Sequence, residues 1–269
     1  QVLLQGGLND DLPLSYYVDL IRTAVRRYPD VHLHGFSAPE IWNIARIENI
    51  SIHAVLQSLF DAGLTTIPGG GAEILSEKVR KRISPKKMGP GVWIAVHRAA
   101  HQIGFKTTAT MMYGHVEEPE DIVEHLDILR EAQDEIPGFT AFIPWSYKRE
   151  STALRRVVSH WAGADAYFKV LAFSRIYLDN FDHVQASWFS EGKEIGMDAL
   201  HYGADDFGGI IFEESVHRAA KHINKADHND VLRMIRQSGF EPVQRNVYYD
   251  TVRRYDNEDE VYVPEIQKV

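Results

Sequence analysis

The sequence predicts an α/β protein built as a (β/α)8 TIM-type barrel, of which seven βα units are visible and the first is missing. Three observations carry this. Seven short runs of β-rich residues recur along the chain. The segments between them carry apolar stripes at helical spacing, and strands that alternate with such helices form parallel sheets. The length, 269 residues, suits a barrel of about 250 residues. An open doubly wound sheet is the alternative architecture.

The strands are expected at 2–5, 31–36, 64–67, 106–112, 140–145, 184–188 and 206–212. The chain opens inside the first of these with Gln1-Val2-Leu3-Leu4-Gln5 and has no initiator Met, so the preceding βα unit is expected to have been left out. One helix follows Ser51: Ile52, Val55, Leu56, Leu59 and Phe60 form a buried stripe, Ser51 is the N-cap, and Gly63 lies past the end. A second spans 118–135, with Pro119 in its first turn, Ile122, Leu126 and Leu129 as the stripe, and Pro137-Gly138 as the stop. Residues 1–223 are read as the barrel. Residues 224–269 are read as a C-terminal helix (230–239), a strand-like segment (240–249) and an acidic tail.

Composition narrows the function classes. Hydrophobic residues make up 44% and charged residues 25%, and 29 Lys+Arg against 38 Asp+Glu give a net charge of −9. So acidic a chain argues against nucleic-acid binding, which needs phosphate-neutralising basic patches. No apolar run reaches the length of a membrane span. No membrane association is expected, and the cytoplasm is the expected location. The chain has no cysteine. Its own residues therefore supply no disulfide, thiolate nucleophile, Cys-ligated zinc or thiolate-held iron–sulfur cluster.

In a barrel of this type the site lies at the C-terminal ends of the strands. Those ends are rich in glycine and polar groups: Gln5-Gly6-Gly7, His32 to Ser37, Pro68 to Glu73, Met112 to His115, Pro144 to Tyr147, and Ser187-Trp188. Glycine allows positive φ and lets a ligand approach main-chain N–H groups. No G-x-G-x-x-G or Walker-type run accompanies these glycines. His32 and His34 share one face of a strand, either interior or helix-facing. With His115 and Asp205 or Asp206 they make a rival reading, a metal-dependent TIM-barrel hydrolase. His115 is a candidate acid or base. Arg80, Arg82, Lys86 and Lys87 follow the glycine triplet and suit carboxylate groups. Trp145, Tyr147 and Trp188 would line an aromatic pocket, whereas Trp42, Trp93 and Trp161 are read as packing residues.

The runs QGGLNDDLPLSYY, HLHGFSAPEIW, GLTTIPGGGAEIL, VRKRISPKK, TTATMMYGHVE, GFTAFIPWSY, VQASW and FGGIIFEE together resemble the radical S-adenosylmethionine enzymes of the futalosine route to menaquinone. Within them the resemblance is to the cyclic dehypoxanthinyl futalosine synthases. Aminofutalosine synthases and the radical enzymes of deazaflavin synthesis are siblings. The likeness runs to about Tyr249. It implies S-adenosylmethionine as cofactor and, in the complete parent, a [4Fe–4S] cluster on a three-cysteine loop that this chain lacks. It further implies dehypoxanthine futalosine as substrate and an electron donor such as a flavodoxin or ferredoxin; a homodimer is left open. In the implied reaction a 5′-deoxyadenosyl radical takes a hydrogen from the substrate ribose. The sugar radical adds to the benzoate ring, and loss of an electron and a proton closes the product. By position in the resemblance, Gly6, Gly7, Glu73, Arg80, Tyr113, Gly114 and Pro144 are assigned to the cofactor, and Trp145 and Ser187 to the substrate. His34 and His115 are assigned to catalysis, and no residue to a metal.

Overall fold

In the computed structural model the described residues are 1–150, 152–210, 224–257 and 261–263. Six strands, β1 (Val2–Leu4), β2 (Leu33–Gly35), β3 (Thr66–Ile67), β4 (Lys106–Tyr113), β5 (Phe139–Ser146) and β6 (His183–Val184), form one sheet. Its order is the chain order, and every neighbouring pair is parallel. A parallel bridge between Gln185 and Asp206 adds the seventh position. Strand order that never reverses is the winding of a barrel. A doubly wound sheet has a switch point where the order reverses, so the structure removes that alternative.

The helices between strands are α1 (Leu14–Arg27), α2 (Ala38–Glu48), α3 (Ile52–Asp61), α4 (Glu77–Ile83), α5 (Pro90–Ile103), α6 (Pro119–Glu135), α7 (Ala164–Tyr177), α8 (Trp188–Glu191) and α9 (Lys193–Ala199). Ser51 caps α3 by accepting the Ala54 N–H at 3.1 Å, and Glu118 with Asp121 forms a capping box on α6. The last expected strands are shorter than read. Trp188 begins α8 because the Ser187 N–H donates to the Tyr167 hydroxyl at 2.8 Å and the Trp188 N–H turns back to Ala186 O at 2.9 Å. Of the run 206–212, residues 211 and 212 lie outside the described residues, as do 258–260 of the acidic tail.

The sheet's two faces differ in chemistry. Leu4, Leu33, Ile67, Ala109, Met111, Val184 and Ala186 pack into the hydrophobic core beneath the helices. Strand alternation then turns His34, Thr66, Thr108, Thr110, His183 and Gln185 to the other face, the barrel interior. A barrel interior is ordinarily filled by branched apolar residues. Here it is mixed, since Ala141, Ile143 and Trp145 of β5 share the face with these polar groups.

After residue 224 come α10 (His228–Gln237) and an antiparallel pair, β7 (Val243–Arg245) and β8 (Thr251–Arg254). Met234 of α10 belongs to the barrel's own core. The β7–β8 turn covers the N-terminal end of the strands. The hydroxyl of Tyr248 meets Thr65 Oγ1 at 2.6 Å, and its ring meets His32 edge-on at 5.5 Å. Tyr249 stacks on His183 at 3.7 Å and donates to Asp206 Oδ2 at 2.7 Å, while Arg245 pairs with the same carboxylate. No helix among the described residues is long and apolar enough to cross a membrane.

Candidate active site at the barrel mouth

The loops that follow β1 to β4 converge. Gly7 has φ +77°, and an added Cβ there meets nothing within 4 Å, so this turn opens into free space. The Gly6 N–H donates to Glu40 Oε1 at 2.8 Å. Glu40 also accepts the N–H and hydroxyl of Ser37 at 2.8 and 2.6 Å. It thus joins the ends of β1 and β2. Sequence reasoning passed over Glu40, although Ser37-Ala-Pro-Glu40 carries the capping-box spacing.

The glycine triplet is held from both sides. An added Cβ on Gly69 would stand 2.5 Å from Thr108 O, and one on Gly70 2.4 Å from Gln5 Nε2. Thr108 Oγ1 accepts the Gly69 N–H at 3.0 Å, and Thr110 Oγ1 donates to Gly69 O at 2.7 Å, so side chains continue the short β3 ladder. Trp93 Nε1 donates to Gly70 O at 3.2 Å. Arg80, buried at 3% exposure, donates to Gly71 O at 3.1 Å, to Ala72 O, and to Met88 O at 2.6 and 3.2 Å. Its fork is spent on backbone. Burial lowers its pKa. Glu73 pairs with Lys87, and its carbonyl accepts the Met112 N–H at 2.7 Å.

At the end of β4, Glu117 closes the loop by accepting the N–H groups of Gly114 and His115, the latter at 2.8 Å. Burial alone would raise Glu117, but the contact with His115 and these backbone donors outweigh it and hold the carboxyl below its usual range. His115 is itself buried. Its Nε2 donates to Met112 O at 3.0 Å and its Nδ1 lies 2.7 Å from the Val116 nitrogen and 2.8 Å from Glu117 Oε2, so both nitrogens are engaged in the loop. The Tyr113 side chain lies on the helix side of the sheet with its hydroxyl buried and unpartnered. Gly114 has φ +82° and faces Ala162.

Pro144 and Ser187 are joined directly, Ser187 Oγ donating to Pro144 O at 2.6 Å. Trp145 packs with Met112, Tyr147 and Val158 in a small cluster over the mouth. Trp188 and Trp93 are core residues, and Trp161 is half-exposed. A second buried group was not read from the sequence. Glu191 accepts the Ser146 N–H at 2.7 Å and its hydroxyl at 2.6 Å, and Lys148 Nζ reaches Ser146 Oγ at 2.7 Å and Glu191 at 3.2 Å. Burial pulls the Lys148 amine down against the opposing pull of Glu191.

His34 lies apart from His115, inside the barrel beside Thr66. The rival hydrolase reading fails on its further ligands. Asp205 is taken by Arg175 and His183, Asp206 by Arg245 and Tyr249, and His115 by its own loop. Among the described residues no group of three or more His, Cys, Asp or Glu is placed to hold a metal ion.

Residues 136–258 match the C-terminal region of the CofH/MqnC family. A cyclic dehypoxanthine futalosine synthase of Halalkalibacterium halodurans is 40% identical over 96% of this chain and 70% of its own length. That of Streptomyces coelicolor is 35% identical over 96% of this chain, which spans 64% of that relative. Aminodeoxyfutalosine synthases match much the same span. The solved structure of methylornithine synthase (PylB) superposes with a TM-score of 0.64 at 13% identity, covering 86% of this chain and 64% of that one, a likeness of fold. The chain belongs to the CofH/MqnC family of radical S-adenosylmethionine enzymes, the family of the cyclic dehypoxanthine futalosine synthases.

Proposed function

We propose that this chain forms the substrate- and S-adenosylmethionine-binding barrel of a cyclic dehypoxanthine futalosine synthase, acting on dehypoxanthine futalosine in menaquinone biosynthesis. One observation carries it beyond family membership: glycine turns gather at the strand ends and each is held in place by buried groups, Glu40 at Gly6, Arg80 and Trp93 at the triplet, and Glu117 at Gly114. That arrangement fixes the backbone of the rim before a ligand arrives, which is what orientation of a reactive intermediate requires.

The donor set fits one group and not the other. The open Gly7 position suits close approach of a ligand such as S-adenosylmethionine, whereas Gly69 and Gly70 are glycines because Thr108 and Gln5 fill the space beside them. The chain has no cysteine, so its residues do not hold a [4Fe–4S] cluster, and no step is derived through one. Gly6, Gly7 and Gly114 would offer backbone to the cofactor. Arg80 and Glu73 would fix the glycine loop rather than touch the ligand, with Tyr113 and Pro144 behind it. Trp145 would cover the substrate, and Ser187 would set the strand end beneath it. His34 would take the proton released at product closure, and His115 would stiffen the mouth. A cytoplasmic location, a flavodoxin or ferredoxin electron donor and a homodimer belong to the same reading.

Calorimetric titration tests it. The chain should bind S-adenosylmethionine and prefer dehypoxanthine futalosine to aminodeoxyfutalosine. Preference for the latter would move the assignment to the sibling synthase.

A further inference from the structure

We infer that Thr66 is a positioning residue that holds His34 in the tautomer with its hydrogen on Nδ1, so that the Nε2 lone pair meets a ligand inside the barrel as a hydrogen-bond acceptor. The ligand class is one that presents a hydroxyl, such as a sugar. The inference rests on the cyclase reading and adds to it the group that prepares His34 for its role.

The tautomer follows from the hydrogens available. His34 and Thr66 stand opposite each other in the β2–β3 register. Thr66 Oγ1 lies 2.8 Å from His34 Nδ1, 2.6 Å from His32 Nε2 and 3.3 Å from Leu33 O. A carbonyl only accepts, and a hydroxyl has one hydrogen and two lone pairs. All three contacts are hydrogen bonds in one arrangement alone: Thr66 donates to Leu33 O, and both rings donate to Thr66. Turning the hydroxyl hydrogen toward either ring would leave the Leu33 contact without one. Thr66 is 1% exposed, and a hydrogen bond given up in so buried a place is not replaced from solvent. The β-branched side chain is also stiff about its first bond, which keeps Oγ1 in place. His34 Nδ1 therefore bears the hydrogen and Nε2 is bare.

The bare nitrogen is on the ligand side. Strand pairing sets His34 between Leu3 and Thr66 on the inner face. Its Nε2 has no hydrogen-bond partner among the described residues and is not one of their buried unpartnered atoms, so it opens onto the barrel interior. Burial, with His32 adding to it, pushes His34 down to about 4, so the ring is neutral near pH 7 and Nε2 keeps its lone pair. The opposite tautomer would present N–H there and accept nothing. At product closure Nε2 takes the released proton, and the ring becomes an imidazolium whose Nδ1–H still rests on Thr66. The same nitrogen gives that proton to water as product leaves. One proton arrives and departs, and no electron moves.

The test uses the chain labelled with 15N-histidine at about pH 7.5, above the ordinary histidine range, where ring shifts report which nitrogen bears the hydrogen. Expected are a hydrogen on Nδ1 of His34 and one on Nε2 of His32. Thr66→Ser should keep both. Thr66→Val, similar in shape but without the acceptor, should lose the His34 preference, with a thermal melt confirming that both variants fold. In the holoenzyme carrying this chain, Thr66→Val should lower kcat/KM by about tenfold or more, and Thr66→Ser should restore most of it. A wild-type His34 with its hydrogen on Nε2, wild-type kcat/KM in Thr66→Val, or a Thr66→Ser no better than Thr66→Val would overturn the inference. The expected tautomers in a chain that does not bind dehypoxanthine futalosine by calorimetry would overturn the cyclase reading instead.

Discussion

Replacing Arg80 by Met should loosen the glycine loop of the barrel mouth. The side chain is 3% exposed and donates to three backbone carbonyls, those of Gly71, Ala72 and Met88. Methionine fills similar length but donates nothing. Each buried acceptor left unpaired costs about 1–3 kcal/mol. Relief of the guanidinium's own desolvation, visible as its lowered pKa, returns part of that. The low end for three acceptors, about 3 kcal/mol, is therefore the reasonable figure. At about 2–4 °C per kcal/mol for a chain of this size, the melting temperature should fall by roughly 6–12 °C. Arg80→Lys should fall between, since an ammonium cannot span the positions of a planar fork. Calorimetry gives the melt, and trypsin cleavage after the exposed Lys86 and Lys87 should accelerate. A melt within about 2 °C of wild type, or faster cleavage elsewhere only, would refute the claim that Arg80 holds the loop.

Other predictions follow from the same geometry. Four buried histidines are held neutral by desolvation: His34 and His101 near 4, His125 near 3, and His97 well below its usual value. The unfolded chain binds their protons below about 6.5, so stability is complete above that pH and falls as pH drops toward 4. Urea midpoints at pH 7.5, 6 and 5 should show this fall (~1.4 kcal/mol per pH unit for each fully depressed group). His97→Leu should show a shallower slope, its ring nitrogens having no partner to lose; parallel slopes would count against it. Gly69→Ala puts a Cβ 2.5 Å from Thr108 O and 2.9 Å from Ala109 Cα, and should cost about 1–3 kcal/mol in a melt. Gly7→Val, at φ +77° with free space around it, should cost about 1–2 kcal/mol while weakening S-adenosylmethionine binding far more; unchanged binding would make the turn merely structural. Lys148→Met leaves Glu191 buried without its cation and should cost about 3–5 kcal/mol, with Lys148→Met/Glu191→Gln recovering part of it by chemical denaturation.

The sequence by itself determined the alternation of strand and helix, because period-two and period-3.6 apolar patterns are local properties of a chain. Ser51 and Pro119 marked helix starts for the same reason: a cap acts on its own first turn. It also placed the glycine turns at strand ends, where φ at Gly7, Gly71 and Gly114 is positive. Tertiary structure alone decided which face His32 and His34 occupy, since a two-residue spacing fixes a shared face and not its direction. Only the packed molecule shows that Arg80 and His115 spend their donors on neighbouring backbone, so that residue types suited to ligands serve as braces. Glu191 meets Ser146 across 45 residues and Tyr248 meets Thr65 across 183. Contacts at such separations leave no periodic trace in the chain. They exist because the parallel winding brings successive strand ends, and a C-terminal turn, to the same two rims.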